Sequence, residues 1–169
     1  FVNISDLPIA DYLDKDEFLE RLAERRFVKG LKAVLHQGAC STTTEWDGRY
    51  MMQNNYGYSQ ILLRHCLEHS VQYIYASSAA VYGASETFVE DPACEKPLNV
   101  YGYSKLQFDR YVRRVVPDPP SQVVGLRYFN VYGPRMDVYG KYTEVLIRWM
   151  ERIATGQPPL IFGDGLQTM

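Results

Sequence analysis

Apolar and polar residues follow two alternating rhythms along the chain. Residues 9–25 interleave acidic and apolar groups at helical spacing, with Leu13, Phe18, Leu19 and Leu22 making one stripe and Lys15 on the polar side. Residues 31–36 form an apolar run of strand length, followed by the small, polar series Gln37, Gly38, Ala39, Cys40 and Ser41. A long helical pattern covers residues 47–67 through Met51, Met52, Tyr56, Ile61, Leu62, Leu63 and Leu67. Asn54 and Asn55 are set into its middle, where asparagine is an indifferent helix former. Residues 71–76 read as a buried strand that ends in Ser77 and Ser78. The polar residues 85–97, with two prolines, predict a loop, and Asn99 predicts a helix cap. The helix it opens runs through Leu106, Phe108, Tyr111 and Val112 until Pro117 stops it. Residues 122–128 predict a third buried strand, and residues 143–155 an amphipathic helix closed by Gly156. Residues 159–162 predict a short strand before a turn at Gly163, Asp164 and Gly165.

Strand and helix patterns alternate, and the connections are too long for hairpins. This predicts an α/β class: a doubly wound parallel sheet with helices on both faces. Open sheets of this kind bind ligands outside the carboxyl ends of their strands. Residues 37–41 stand at such an edge and let backbone approach a ligand closely. Ser77 and Ser78 place two hydroxyls at the next edge. His36 is expected to pack under the sheet, because nothing nearby forms a catalytic pattern with it. His65 and His69 have the i, i+4 spacing of zinc-binding pairs. No Glu or Cys stands at a suitable distance, so they read as surface histidines and no metal is expected.

Tyr101 and Lys105 lie four residues apart on the helix that Asn99 caps, so their side chains leave one face about a turn apart. A phenol is a poor base at neutral pH, and a neighbouring ammonium favours its phenolate. The pair therefore suits proton exchange with an alcohol, with Lys105 also within reach of a cofactor ribose. Tyr-x-x-x-Lys alone is a weak signal, since both residues are common on helices. The serine-bearing strand before it gives it weight.

Composition changes this picture little. The chain has 169 residues, 46% hydrophobic and 22% charged, with a net charge of −2. That is ordinary for a globular domain and gives no reason to expect nucleic acid or an anionic membrane surface as partner. No apolar run approaches the roughly 20 residues that span a bilayer. The three cysteines are widely spaced, which argues against a disulfide framework and fits a reducing cytoplasm. There are fourteen tyrosines, and several fall in or beside the stretches above, as pocket lining would require. Repeats and low-complexity segments are absent.

Three stretches in order carry a family resemblance: Ser77-Ser78-Ala79-Ala80-Val81-Tyr82-Gly83, then Tyr101-Gly102-Tyr103-Ser104-Lys105, then Arg127-Tyr128-Phe129-Asn130-Val131-Tyr132-Gly133-Pro134-Arg135. They resemble the extended short-chain dehydrogenase/reductases, the nucleotide-sugar epimerases and dehydratases. The resemblance implies a Rossmann-type dinucleotide-binding domain over residues 1–135 and the start of a substrate-binding region over residues 136–169. It implies Ser78, Tyr101 and Lys105 as the catalytic set, with Lys15, Gln37, Gly38, Ala39, Cys40, Ser41, Asn54, Lys105 and Val131 around NADP or NAD. Ser78 and Asn130 would meet a nucleotide-sugar substrate, and the full-length enzyme would be a homo-oligomer.

No glycine-rich dinucleotide turn occurs anywhere. In the family that turn belongs to a unit preceding the region that residues 1–22 match, so the chain is expected to be an internal piece, inactive without its missing ends. Residues 38–48, 50–55 and 95–105 resemble most the branch that epimerises ADP-heptoses for lipopolysaccharide. That branch has a second catalytic lysine after the Gly-Pro-Arg, and Lys141 is the only lysine in the loop, placed slightly late. Residues 136–145 and 158–165 look more like the UDP-sugar 4-epimerases. A non-catalytic binding module is the third reading, and the intact Ser78, Tyr101 and Lys105 argue against it.

Overall fold

The structure, a computed structural model, describes residues 4–24, 30–136 and 145–161. The chain falls into two compact units, one of Asp11–Tyr128 and the other of Phe1–Ala10 with Phe129–Met169.

In the larger unit the chain runs α1 (Lys15–Ala23), β1 (Ala33–His36), α2 (Gly48–Met52), a π-helical turn (Gln53–Gly57), α3 (Tyr58–Glu68), β2 (Gln72–Ser78), α4 (Val100–Val115) and β3 (Val123–Tyr128). Short 3-10 turns at Ala79–Val81 and Pro92–Cys94 lie between β2 and α4. The three strands form a parallel sheet in the order β1-β2-β3, with Val34 opposite Tyr73 and Tyr73 opposite Val123. Helical crossovers between parallel neighbours make this the Rossmann-type arrangement that the alternating rhythm predicts, although among the described residues α1, α3 and α4 all contribute to the core on one face of the sheet.

Strand alternation decides what each face meets. Tyr73, Tyr75 and Ser77 of β2 point to one side, where Leu62, Leu63 and Cys66 of α3, Phe108 and Tyr111 of α4, and Leu22 of α1 close the larger of two buried clusters among the described residues, the other being Val81, Tyr82 and Leu106. Tyr73 is fully buried, and burial of one such aromatic contributes roughly 1.5–3 kcal/mol. On the other side Leu35 and Leu126 are exposed.

Side-chain caps start α1, α2 and α4. Asp14, Asp47 and Asn99 accept hydrogen bonds from Asp16, Tyr50 and Gly102 backbone N–H groups, at 2.9, 3.0 and 2.7 Å. Three expectations are corrected. The helix expected over residues 47–67 is interrupted at Gln53–Gly57, where the Tyr58 N–H reaches back five residues to the Gln53 carbonyl. The cause lies in the two asparagines: the Asn54 side chain donates to the Tyr50 carbonyl at 2.8 Å, and that of Asn55 leaves the helix to bond elsewhere. His65 is not a surface histidine. It flanks the buried Leu62–Cys66 stripe, is 8% exposed, and lies against His69 with ring centroids 4.5 Å apart and the rings tilted by 57°.

In the smaller unit α5 (Val145–Ala154) ends as expected at Gly156. That residue has φ of 72°, and its N–H and that of Gln157 return to the Ile153 and Arg152 carbonyls. The third correction concerns residues 158–161, which make no strand. Their carbonyls are taken by α5 side chains, Pro158 by Arg152 and Leu160 by Trp149, each at 2.7 Å. Phe162 and the turn expected at Gly163, Asp164 and Gly165 lie outside the described residues.

Candidate active site

Two groups of side chains collect at the carboxyl edge of the sheet. The first lines a cleft of about 480 Å³ beyond β1, walled by Gln37, Gly38, Ala39 and Cys40 from the loop, by Lys15 and Phe18 from α1, and by Tyr50, Asn54 and Tyr58. Lys15 Nζ donates to Asn54 Oδ1 at 3.0 Å, so one ammonium and one amide stand together at its wall. A β-carbon at Gly38 would meet nothing within 4 Å, which leaves that stretch of backbone open to a ligand. Six of the residues implied as cofactor contacts, Lys15, Gln37, Gly38, Ala39, Cys40 and Asn54, are thus brought together. Ser41 is exposed and follows the cleft without lining it.

The second group sits where β2 ends. Ser78 is the last strand residue and caps the 3-10 turn, its Oγ accepting from the Ala80 N–H at 3.1 Å. That contact leaves the hydroxyl proton for another partner. The turn packs on the first turn of α4 so closely that a β-carbon at Gly102 would lie 2.6 Å from the Ala80 carbonyl oxygen. Lys105, one helical turn beyond Tyr101, is buried. Its Nζ lies 5.9 Å from the Tyr101 ring centroid and donates to the Ala76 carbonyl at 2.8 Å. Burial pushes its pKa down to about 8, with Asp109 opposing.

Asn55 joins the two groups. Its amide donates to the Cys40 carbonyl and to Ser104 Oγ, each at 3.0 Å, and its Oδ1 accepts from the Cys40 N–H at 2.8 Å. The family resemblance puts both asparagines on the side that faces the cofactor. The structure keeps Asn54 at the cleft and buries Asn55 as the tie between the cleft loop and α4. His36 packs under the sheet as expected. With the Ser59 proton on the Asn55 carbonyl, His36 Nε2 donates to Ser59 Oγ at 2.8 Å. Burial, then the Lys105 charge, lowers its pKa to about 4.

Beneath the second group lies a charge cluster that sequence reasoning missed. Asp109 accepts from Tyr75 and Ser77 of β2 at 3.1 and 2.9 Å and from Arg127 of β3 at 3.2 Å. Glu95 receives two bonds from Arg113, at 2.7 and 2.9 Å, and one from Arg127. The available signal was a carboxylate four residues beyond Lys105, on the same stripe of α4. Asn130 and Val131 belong to the exposed stretch after β3 in the smaller unit, and Lys141 lies outside the described residues.

A parallel α/β sheet with a loop-lined cleft at one strand's carboxyl end, and a Ser and a Tyr-x-x-x-Lys pair at the next, is an arrangement of the Rossmann-type class of fold. Residues 7–169 match the model of the NAD dependent epimerase/dehydratase family, and the chain belongs to that family. Among solved structures, it is 36% identical to ADP-L-glycero-D-manno-heptose-6-epimerase of Helicobacter pylori, with a TM-score of 0.71 over 85% of this chain and 45% of that one. It is 28% identical to the UDP-N-acetylglucosamine 4-epimerase of Methanobrevibacter ruminantium M1, with a TM-score of 0.74 over 88% and 49%. The UDP-glucuronic acid 4-epimerase of Bacillus cereus, solved in complex with NAD, is 27% identical, with a TM-score of 0.65 over 92% and 46%. The chain therefore spans about half the length of the structures it matches.

The family's cofactor is NAD, and the first cleft fits part of it. The open backbone at Gly38 admits a ribose or nicotinamide edge, and the Lys15–Asn54 pair offers donors to ribose hydroxyls or a phosphate.

Proposed function

We propose that the protein is a nucleotide-sugar epimerase of the ADP-glycero-manno-heptose 6-epimerase branch, acting in the cytoplasm on a lipopolysaccharide precursor as a homo-oligomer. One observation carries the catalytic part. Lys105 is fixed to the Ala76 carbonyl two residues before Ser78 while facing the Tyr101 ring, so the proton-exchanging pair of α4 is held against the strand end that bears the serine. The choice of branch is supported by the 36% identity to the heptose enzyme and by residues 38–48 and 50–55.

When bound, NAD would supply reversible hydride transfer at the sugar carbon. Lys15, Gln37, Gly38, Ala39, Cys40, Asn54 and Lys105 would hold the cofactor, with Ser41 and Val131 at its margins. Tyr101 removes the hydroxyl proton from the carbon to be inverted and returns it after the resulting ketone has presented its other face. The Ser78 hydroxyl donates to the same sugar oxygen, where charge develops; loss of one such donor costs roughly 10²–10³ in rate. Lys105 stabilises the phenolate between the two transfers. Asn130 meets the substrate, and Lys141 is assigned the second proton transfer of this branch.

A second reading, a UDP-sugar 4-epimerase, is favoured by residues 136–145 and 158–165 and by the similarity to the archaeal UDP-N-acetylglucosamine enzyme. The test offers ADP-glycero-manno-heptose and UDP-glucose separately to the full-length protein. Turnover of the heptose alone is expected, and turnover of UDP-glucose alone overturns the first reading. Tyr101→Phe is expected to abolish turnover with the fold intact; an active variant removes the epimerase reading altogether.

A further inference from the structure

We propose that Asp109 is a positioning residue for the proton-transfer pair, holding α4 in register with the end of β2 so that Tyr101 and Lys105 keep their place relative to Ser78. The inference rests on the epimerase reading above.

The geometry is a three-point attachment along one helix stripe. Tyr101, Lys105 and Asp109 succeed one another at four-residue spacing, so all three leave α4 on one side. Gly102 sits against the Ala80 carbonyl, Lys105 bonds the Ala76 carbonyl, and Asp109 bonds the Ser77 hydroxyl and the Tyr75 phenol. The start of α4 meets the turn after β2 at Ala80, and the two later points meet residues 75–77 within β2, as for a helix running antiparallel to its strand. Only the last point is made by a side chain with several bonds. Oδ2 accepts from Ser77, and also from Arg127 Nε and Nη2 at 3.2 Å each, while Oδ1 accepts from Tyr75.

Asp109 is 5% exposed, and burial works to raise its pKa while Ser77, Arg127 and Tyr75 oppose. A buried carboxylate with four donors on two strands is a costly arrangement if its only purpose is packing, because apolar residues of similar size serve a core as well or better. Its neighbour along the stripe supplies the purpose: Ser77 is adjacent to Ser78, and Lys105 is one turn from Tyr101. Asp109 thus ties together the two elements that must meet over the sugar.

The charged and titratable groups around Lys105 are Tyr101 and Asp109 on α4, His36 on β1, Tyr75 on β2, and Arg127 on β3 acting through Asp109. Of these, Asp109 raises the proton affinity of Lys105.

The test uses the full-length protein with Asp109→Asn, Ser77→Ala and Tyr101→Phe. Asp109→Asn is expected to lower kcat about 10²-fold, the effect of misplacing a reacting group by about an ångström. KM should stay near the wild-type value, and the titration midpoint of Lys105, followed by NMR without cofactor, should move below the wild-type one. Ser77→Ala keeps the charge and removes one strand bond; it should lower kcat with the Lys105 midpoint unmoved. Wild-type kcat in Asp109→Asn overturns the proposal, as does a loss shared between kcat and KM with the midpoint unmoved. If Asp109→Asn does not fold, Ser77→Ala decides, and wild-type kcat there overturns it. An active Tyr101→Phe indicts the epimerase reading instead.

Discussion

Asn55 holds Cys40 by both of its backbone polar groups, accepting from the N–H at 2.8 Å and donating to the carbonyl at 3.0 Å. This is the pairing of two amides seen between strands, made here by one side chain. It fixes the loop that walls the cleft before any ligand arrives. Asn55→Ala strands the Cys40 N–H and carbonyl, while Ser104 Oγ keeps its bond to the Tyr101 carbonyl at 2.7 Å, and each buried group left unpaired costs about 1–3 kcal/mol. The half-buried loop can be rehydrated, so a loss at the lower end is expected in urea unfolding. The larger effect should fall on NAD affinity, because the loop must then be ordered by the cofactor itself. An unchanged dissociation constant by calorimetry contradicts this role. Asn55→Asp, which keeps the acceptor but loses the donor, should be no better than Asn55→Ala.

His36 makes stability depend on pH with a defined sign. Its folded pKa of about 4 lies below the ordinary imidazole value of 6.5, so the folded state binds fewer protons than the unfolded state between those values. The contribution is complete above about pH 6.5, is lost as pH falls toward 4, and levels off below. At 1.36 kcal/mol per unit the full loss is roughly 3 kcal/mol. His65, lowered by burial and then by His69, adds a slope of the same sign. His36→Gln should therefore flatten most of the fall in urea midpoint between pH 6.5 and 4 and leave a residue due to His65. An undiminished slope in that variant removes His36 as its source.

Gly102→Ala sets two effects of opposite sign against each other. Within a helix Ala is favoured over Gly by about 1 kcal/mol. The new β-carbon, however, would lie 2.6 Å from the Ala80 carbonyl oxygen and 3.1 Å from its carbon. Those atoms are backbone and cannot swing aside, so the first turn of α4 must move off the turn that follows Ser78. Overpacking of this kind costs about 1–3 kcal/mol. The expected result is a net loss of stability with a fall in kcat, since Tyr101 is in that turn. A variant more stable than wild type would show the contact to be slack.

The elements were legible in the sequence because their signals are local. Apolar period distinguishes α4 from β2, and Asn99 is a cap wherever an extended residue precedes a helix. The Gly38 loop and the Tyr101–Lys105 pair were legible for the same reason, their chemistry being a matter of spacing along one segment. What escaped was set by contacts between segments distant in sequence. Nothing near Asn55 distinguishes it from Asn54, and their roles separate only when α4 supplies Ser104, 49 residues on. Asp109 reads as an ordinary helix carboxylate until β2 and β3 bring Ser77, Tyr75 and Arg127 to it. His65 went wrong similarly, since helical spacing alone does not show how far a stripe's flank is covered. The strand expected at residue 159 failed because its apolar run found α5 side chains rather than a ladder partner.

Glu95 gives the last prediction. Its carboxylate is fully buried, and it takes a bidentate Arg113 and a bond from Arg127, whose guanidinium also lies 4.9 Å from the Tyr82 ring centroid. Burial works to raise the Glu95 pKa, and the two guanidiniums outweigh it, so the folded value lies below the usual carboxylate range. Its contribution is therefore present above about pH 4.5 and is lost as pH falls further. Glu95→Gln reproduces that acid state at neutral pH. Leaving a buried charge without its partner costs about 3–5 kcal/mol, and because Arg113 is 42% exposed and can rehydrate, the lower end is expected. Unfolding free energies at pH 7 should differ by that amount between wild type and variant, and the gap should close as the pH falls below 4. A gap constant with pH would mean that Glu95 acts by shape rather than by charge, and the Arg127 cluster would then need another source of its stability.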